Sequence, residues 1–320
     1  MKILLTGCAG FLGFNLSLKM LEKKNFRIIG VDNLNDYYSV PYKKKRLNIL
    51  KKNKNFQFYK VDISNFKGLK KIFIKHKFDL IINLAAQAGV RYSISNPKEY
   101  MESNIVGFFN IAELSRVHKI EKVFYASSSS VYGEQKKFPL KENTVINPKN
   151  IYSLSKKNNE EIAEIYSNYY NMNFIGLRFF TIYGEWGRPD MLILKYILSY
   201  LNKKTFYLNN YGDHYRDFTY VKDVVENLMI LTKKKFKTKN EIFNICSNKS
   251  VSINLILNKL DKAFGQPKII KRSKQLADVY KTHGSNIKIS KVTKFKNYTK
   301  INDGLNNLIN WAKLNIKYIK

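Results

Sequence analysis

The sequence predicts an α/β fold: a doubly wound parallel sheet joined to a smaller, interleaved α/β domain. Three observations carry this. Short apolar runs alternate with helix-length amphipathic segments through the first half, and strands separated by helices mean βαβ units with both sheet faces covered. The first apolar run feeds directly into a glycine cluster, Gly7, Gly10 and Gly13. The length of 320 residues is about two domains' worth at ~150 residues each.

Taken in order, the candidate strands are 2–6, 27–31, 56–60, 79–84, 122–126 and 174–179. Helical patterns lie between them at about 12–24, 66–76, 99–118 and 152–170. In the last of these, Ile162, Ile165, Tyr166 and Tyr169 recur at the spacing of one helix face. The run 241–245 is expected to rejoin the sheet. The first domain then spans 1–180, rejoined by about 216–249. The second takes 181–320, mainly 181–215 and 250–320, with less regular alternation and a terminal helix near 303–315.

Composition narrows the class. Hydrophobic residues make up 44%, enough to bury a core, which excludes wholesale disorder. No run approaches the ~18 apolar residues of a membrane-spanning helix. The apolar stretch at Met1–Leu5 is too short for a signal peptide, so a cytoplasmic location is expected. Cys8 and Cys246 are then expected to be free thiols. Lys and Arg number 57 against 24 Asp and Glu, a formal net charge of +33. A nucleic-acid surface must be considered on that count. Yet only eight of the 57 are arginine, whose planar fork specific readers favour. Lysine is spread over nearly every surface segment, which reads as compositional drift without a specific nucleic-acid partner. The runs 43–46, 51–54 and 233–239 read as solvated faces. The four histidines and two cysteines show no metal-ligand spacing.

The chemistry begins at Thr6-Gly7-Cys8-Ala9-Gly10-Phe11-Leu12-Gly13. Glycines at a strand-to-helix bend let the backbone approach a pyrophosphate, and the helix amides and dipole then favour its charge. The second strand ends Gly30-Val31-Asp32, and Asp32 lies 19 residues past Gly13. That is the spacing of the carboxylate that receives an adenosine ribose, where a 2′-phosphate would be repelled. NAD is therefore expected over NADP in a Rossmann-like domain, with Asp62 and Ile63 at the adenine edge. Further on, Tyr152-Ser153-Leu154-Ser155-Lys156 puts a phenol and an ammonium on one helix face. A neighbouring cation favours phenolate, a competent base near neutral pH. Upstream, Ser127-Ser128-Ser129-Ser130-Val131-Tyr132-Gly133 stands at the carboxyl end of the fifth strand, where open α/β sheets bind ligands.

These residues, with Leu84-Ala85-Ala86-Gln87, resemble the nucleotide-sugar epimerases and dehydratases of the extended short-chain dehydrogenase/reductase family, over essentially the whole chain. The resemblance implies Ser128 as catalytic hydroxyl, Tyr152 as base, Lys156 as its tuner and Asn104 as the asparagine of the fourth-helix motif. Family dehydratases carry an Asp-Glu pair after the hydroxyl; here Ser129 and Ser130 stand there, which favours epimerisation at carbon 4. Gly30-Val31-Asp32-Asn33-Leu34-Asn35-Asp36-Tyr37-Tyr38, Gln87-Ala88-Gly89-Val90-Arg91-Tyr92-Ser93 and Arg178-Phe179-Phe180-Thr181-Ile182-Tyr183-Gly184 are similar to the subgroup acting on UDP-glucuronate. So are Trp186-Gly187-Arg188-Pro189-Asp190-Met191, Tyr215-Arg216-Asp217-Phe218-Thr219-Tyr220-Val221 and Gln275 followed by Asp278. Ala277 and Lys222 depart from the pattern.

The expected reaction is the interconversion of UDP-glucuronate and UDP-galacturonate through a 4-keto sugar, with NAD as retained hydride acceptor. Arg188 and Arg216 are expected on the diphosphate, and Phe206 and Tyr207 at the uracil. Ser129, Ser130 and Thr181 are expected to restrain the sugar carboxylate, whose β-keto acid would otherwise lose carbon dioxide. Arg91 is either a carboxylate partner or a buried structural arginine. The family implies a homodimer formed through the helices near 99–118 and 152–170. The competing readings are a 4-epimerase of UDP-glucose or UDP-N-acetylglucosamine, and a catalytically silent nucleotide-binding protein.

Overall fold

The computed structural model describes residues 1–236, 238–275 and 278–319. The first six strands are β1 (Lys2–Thr6), β2 (Arg27–Asp32), β3 (Phe56–Lys60), β4 (Leu80–Asn83), β5 (Lys122–Ser128) and β6 (Asn173–Phe179). Then follow β7 (Thr181–Tyr183), β8 (Phe206–Asn209), β9 (Tyr215–Tyr220), β10 (Asn240–Ile245), β11 (Ser250–Ser252) and β12 (Ile269–Arg272). The main sheet runs β10-β6-β5-β4-β1-β2-β3, all parallel. The chain steps outward from β1 to β3, returns to β4, and steps outward the other way. This is the doubly wound order predicted, and ligands bind where it reverses, between the ends of β1 and β4. Every predicted strand is found within two residues.

Alternation along β1 fills two cores. Ile3 and Leu5 pack with Phe14, Leu16, Val224 and Leu228 on one face. Leu4 packs with Ile72, Phe108, Ile111 and Tyr166 on the other. A third core gathers Tyr183, Leu194, Tyr196, Phe206, Phe218, Ile256, Leu260 and Leu308 around two small sheets, β11-β9-β7 and β12-β8. Among the described residues no helix is long and apolar enough to cross a membrane.

Three expectations need correction. The predicted helix 99–118 is broken: Pro97–Tyr100 is followed by a π-helical turn, Met101–Val106, before the α-helix Gly107–Val117. In the helix Ile151–Tyr170, Tyr166 is buried, but Ile165 is 52% and Tyr169 81% exposed; the stripe is wider than the core it meets. The run 43–46 is solvated only in part: it lies on a helix, Val40–Lys51, that the lysines concealed, with Lys44 outward and Lys43 and Arg46 inward. Lys43 is 5% and Arg46 0% exposed.

Candidate active site

The glycine turn leaves no room for side chains. Gly7 has φ +71°, and a Cβ there would stand 2.7 Å from the amide nitrogen of Ala85. One on Gly13 would stand 2.1 Å from the carbonyl oxygen of Gly7. The helix Phe11–Leu21 starts at Gly10 without a side-chain cap, so its first amides are left for a ligand, and an anion suits them. Asp32 Oδ2 accepts from the amide of Ala9 at 3.1 Å and Oδ1 from that of Leu34 at 2.8 Å, leaving lone pairs on both oxygens. Burial pushes its carboxyl up, against those amides and the charge of Lys43. Asp62 accepts from Asn33 Nδ2 at 2.6 Å and from the amide and hydroxyl of Ser64. Burial pushes Asp62 up too, but the bonds from Ser64 and Asn33 outweigh it and hold the carboxyl below its usual range. A backbone cradle that only glycine fits, with carboxylates beyond it, matches the phosphates and riboses of NAD.

Gly7, Gly10, Phe11, Leu12, Gly13, Asp32, Asn33, Asn35, Asp62, Ile63 and Leu84 to Gln87 line this cavity with Ser127, Ser128, Tyr152 and Lys156. Asn104 lies beneath it. From the π-helical turn its Oδ1 accepts from the amide of Gln87 at 2.7 Å, while Nδ2 donates to Ser155 Oγ at 2.9 Å. It therefore ties the loop after β4 to the helix that carries Tyr152.

That helix is started by its own sequence. Asn150 Oδ1 accepts from the amide of Ser153 at 2.9 Å, and Ser153 Oγ accepts from the amide of Asn150 at 3.2 Å. This capping box fixes Tyr152 in the first turn and Lys156 one turn on. The Lys156 ammonium is buried and donates to the carbonyl of Ala126 at 2.9 Å, 6.0 Å from the Tyr152 ring centroid. Burial brings it down to about 8. Burial also pushes the Tyr152 phenol up, opposed by the nearby Ser128 hydroxyl and by the charge of Arg188; Ser128 Oγ itself donates to Ser130 Oγ at 3.0 Å. Lys156 is not among the groups that oppose this rise; Ser128 and Arg188 are.

A second cavity adjoins the first and shares Ser128, Tyr152, Phe179, Phe180 and Arg188 with it. Arg91, Ser129, Ser130, Thr181, Phe206, Tyr207, Arg216 and Asp278 line it. Three predicted residues fare differently. Ser127 points away from it, donating to Glu160 Oε1 at 2.5 Å, and Glu160 makes a buried ion pair with Arg178 at 2.7 Å. Gln275 is exposed and not in the lining. Arg91 is not buried: its side chain is 54% exposed and forks onto Asp278 at 2.6 and 3.2 Å. Arg188 is paired with Asp190 at 2.5 and 3.0 Å. Arg216 donates to the carbonyls of Tyr215, Val279 and Tyr280 at 2.7–2.9 Å. Ala277 lies outside the described residues.

Sequence reasoning missed several neighbours. Asn209 and His214 line the second cavity; a lone Asn or His carries no spacing signal. Arg46 donates to the carbonyls of Ala9, Trp186 and Gly187 at 3.0, 2.5 and 2.9 Å and to Tyr38. It joins the glycine turn to the segment before Arg188. Glu160 had a signal: one turn past Lys156 it pairs with Arg178, a charge inside an apolar strand. Among the described residues no His, Cys, Asp and Glu group is placed to hold a metal.

Fold and site define an NAD-dependent enzyme of the extended short-chain dehydrogenase/reductase class. The sequence model of the NAD dependent epimerase/dehydratase family matches residues 3–246, and the chain belongs to that family. Protein CapI of Staphylococcus aureus is 40% identical, covering 97% of this chain and 98% of its own. The UDP-glucuronate 4-epimerase of Thermodesulfobacterium geofontis is 38% identical over 99% and 98%. The solved structure of the UDP-glucuronic acid 4-epimerase of Bacillus cereus, in complex with UDP-glucuronic acid and NAD, aligns with a TM-score of 0.92 at 28% identity. That alignment covers 98% of this chain and 99% of the other.

Proposed function

We propose that this chain is an isomerase interconverting UDP-glucuronate and UDP-galacturonate, a nucleotide-sugar 4-epimerase. One observation carries the reading: the two cavities meet at Ser128, Tyr152 and Arg188, with hydroxyls, not carboxylates, at the two positions after Ser128. The relatives named for this activity support it.

In this reading Gly7 to Gly13, Asp32, Asn33, Asn35, Asp62 and Ile63 hold NAD, which supplies a hydride acceptor for carbon 4. Tyr152, beside Ser128, takes the 4-hydroxyl proton and gives it back after the ketone has turned over. Lys156, anchored on Ala126, holds a positive charge beside the ring. Ser129, Ser130 and Thr181 hold the sugar carboxylate so that its bond to carbon 5 stays out of line with the ketone's π system, and carbon dioxide is not lost. Arg188 and Arg216 meet the diphosphate, and Phe206 and Tyr207 border the uracil.

We also read residues 1–180 with 216–249 as the NAD domain, and 181–215 with 250–320 as the sugar domain. The enzyme works in the cytoplasm, supplying polysaccharide synthesis, without a nucleic-acid partner. An apolar face of Met101, Val106, Phe109, Leu154 and Ile165, each 41–52% exposed, supports a homodimer. The test is incubation with UDP-glucuronate, UDP-glucose and UDP-N-acetylglucosamine separately, with products resolved by NMR. UDP-galacturonate from the first is expected. Preference for UDP-glucose would overturn the glucuronate assignment and leave the Tyr152 chemistry standing.

A further inference from the structure

At the far end of the second cavity, Arg91 reaches across from the loop after β4 to Asp278, on the segment that follows β12. With its amide oxygen turned toward the guanidinium, Asn209 accepts from Arg91 at 2.6 and 2.7 Å. Beside this pair lies His214. Its side chain is 4% exposed, and neither ring nitrogen has a hydrogen-bond partner. Nε2 stands 3.9 Å from the Asp278 oxygen that Arg91 holds at 2.6 Å. A buried imidazole with both nitrogens unsatisfied is rare and unfavourable, and calls for an arrangement in which one is paired. Arg216 pins the backbone on either side, through the carbonyls of Tyr215, Val279 and Tyr280, so the part free to change is the pairing of Asp278.

We infer that the Arg91–Asp278 pair is a latch across the cleft, and that His214 is the second seat for the Asp278 carboxylate when Arg91 lets go. The Arg91 side of the pair is 54% exposed while Asp278 is 11% exposed, so on opening the guanidinium is released toward water and only the carboxylate needs a second partner. When it opens, His214 donates to Asp278 through Nε2 and keeps the carboxylate from being stranded. The freed Arg91 fork, matched to planar oxyanions, turns to an anionic group of the entering nucleotide. His214 is thus a positioning residue for substrate capture, with no part in the proton or hydride steps. This rests on the nucleotide-sugar reading of the cleft.

The experiment compares the NAD-containing protein with its His214→Leu, His214→Gln, Asp278→Asn and His214→Leu/Asp278→Asn forms. UDP binding is measured by calorimetry, and turnover by product NMR. Losing one such bond is expected to weaken UDP binding and raise KM about tenfold in His214→Leu, with kcat within about twofold. His214→Gln, which keeps a donor, should recover most of it. In the Asp278→Asn background the histidine change should cost much less. Effects that simply add, or no recovery by glutamine, overturn the exchange, as does unchanged UDP affinity in His214→Leu. UDP binding that responds as expected, without turnover of UDP-glucuronate, leaves the exchange standing and removes only the assigned reaction. A protein that binds no UDP in any form overturns both.

Discussion

At the scale of single residues, Tyr152 is the test of the chemistry. Its phenol shares the common wall of the two cavities with Ser128, and general acid–base groups contribute ~10²–10⁴-fold. Tyr152→Phe should lose turnover by that amount and retain bound NAD, read as absorbance at 260 nm on the purified protein. A two- or threefold loss would remove Tyr152 from the role of base. The carboxylate restraint is tested on Ser129 and Thr181, since hydroxyl-to-carboxylate hydrogen bonds are worth roughly 1.5–3 kcal/mol each. Ser129→Ala with Thr181→Ala should slow epimerisation and raise the share of UDP-pentose among the products. Normal epimerisation without extra pentose would mean that the carboxylate is held elsewhere. Residue-level legibility was uneven for a physical reason. Gly7, Gly13 and Asp32 could be read because a phosphate turn and a ribose dictate both residue type and spacing. Lys43 and Arg46 could not, because burial of a cation leaves no trace in a lysine-rich run. Gln275 stands outside the cavity lining, and a motif position does not say whether its side chain faces the cleft.

At the scale of elements, two arguments lead to measurements. The helices Gly107–Val117 and Ile151–Tyr170 turn Phe109 and Ile165 outward, 46% and 52% exposed. Phe109→Lys with Ile165→Lys should therefore reduce the solution mass, by light scattering, from about twice 37.6 kDa to 37.6 kDa. A single mass in both proteins would rule this face out as the interface. On β9, Asp217 is fully buried and accepts from the amide and hydroxyl of Ser247 and the amide of Gly284. Burial nevertheless pushes its carboxyl up to about 6, more than those bonds pull it down. A carboxyl raised by folding favours the protonated native state, so stability from this group is greatest below pH ~4 and declines as pH rises to ~6. In urea unfolding, the unaltered protein should lose stability between pH 4.5 and 6.5 relative to Asp217→Asn; parallel curves would mean that Asp217 does not titrate there. The strands of the main sheet were legible because each is a bounded apolar run. The three-residue β7 and β11 were not, being shorter than any pattern. The π-helical turn at Met101–Val106 was hidden because its register shift lies inside an otherwise ordinary helical period.

At the scale of the whole molecule, the charge of +33 predicts little for catalysis. A diphosphate inside a cleft is screened weakly, so kcat/KM should change little between about 50 and 200 mM salt. Any nucleic-acid binding should be sequence-independent and fade over that range through counterion release. Sequence-selective binding that survives the higher salt would overturn the reading of the lysines as drift. The doubly wound plan was legible from alternation alone. One tie across it was not legible, because it is a buried arginine on a helix that the composition disguised. Arg46 grips the carbonyl of Ala9 in the glycine turn, and those of Trp186 and Gly187 beside Arg188. One side chain thus spans both walls, a route by which ordering one wall would lower the entropy still to be lost at the other. If the proposed function is right, dinucleotide and sugar nucleotide should each tighten the other's binding by the same factor, which calorimetry with either ligand first would read.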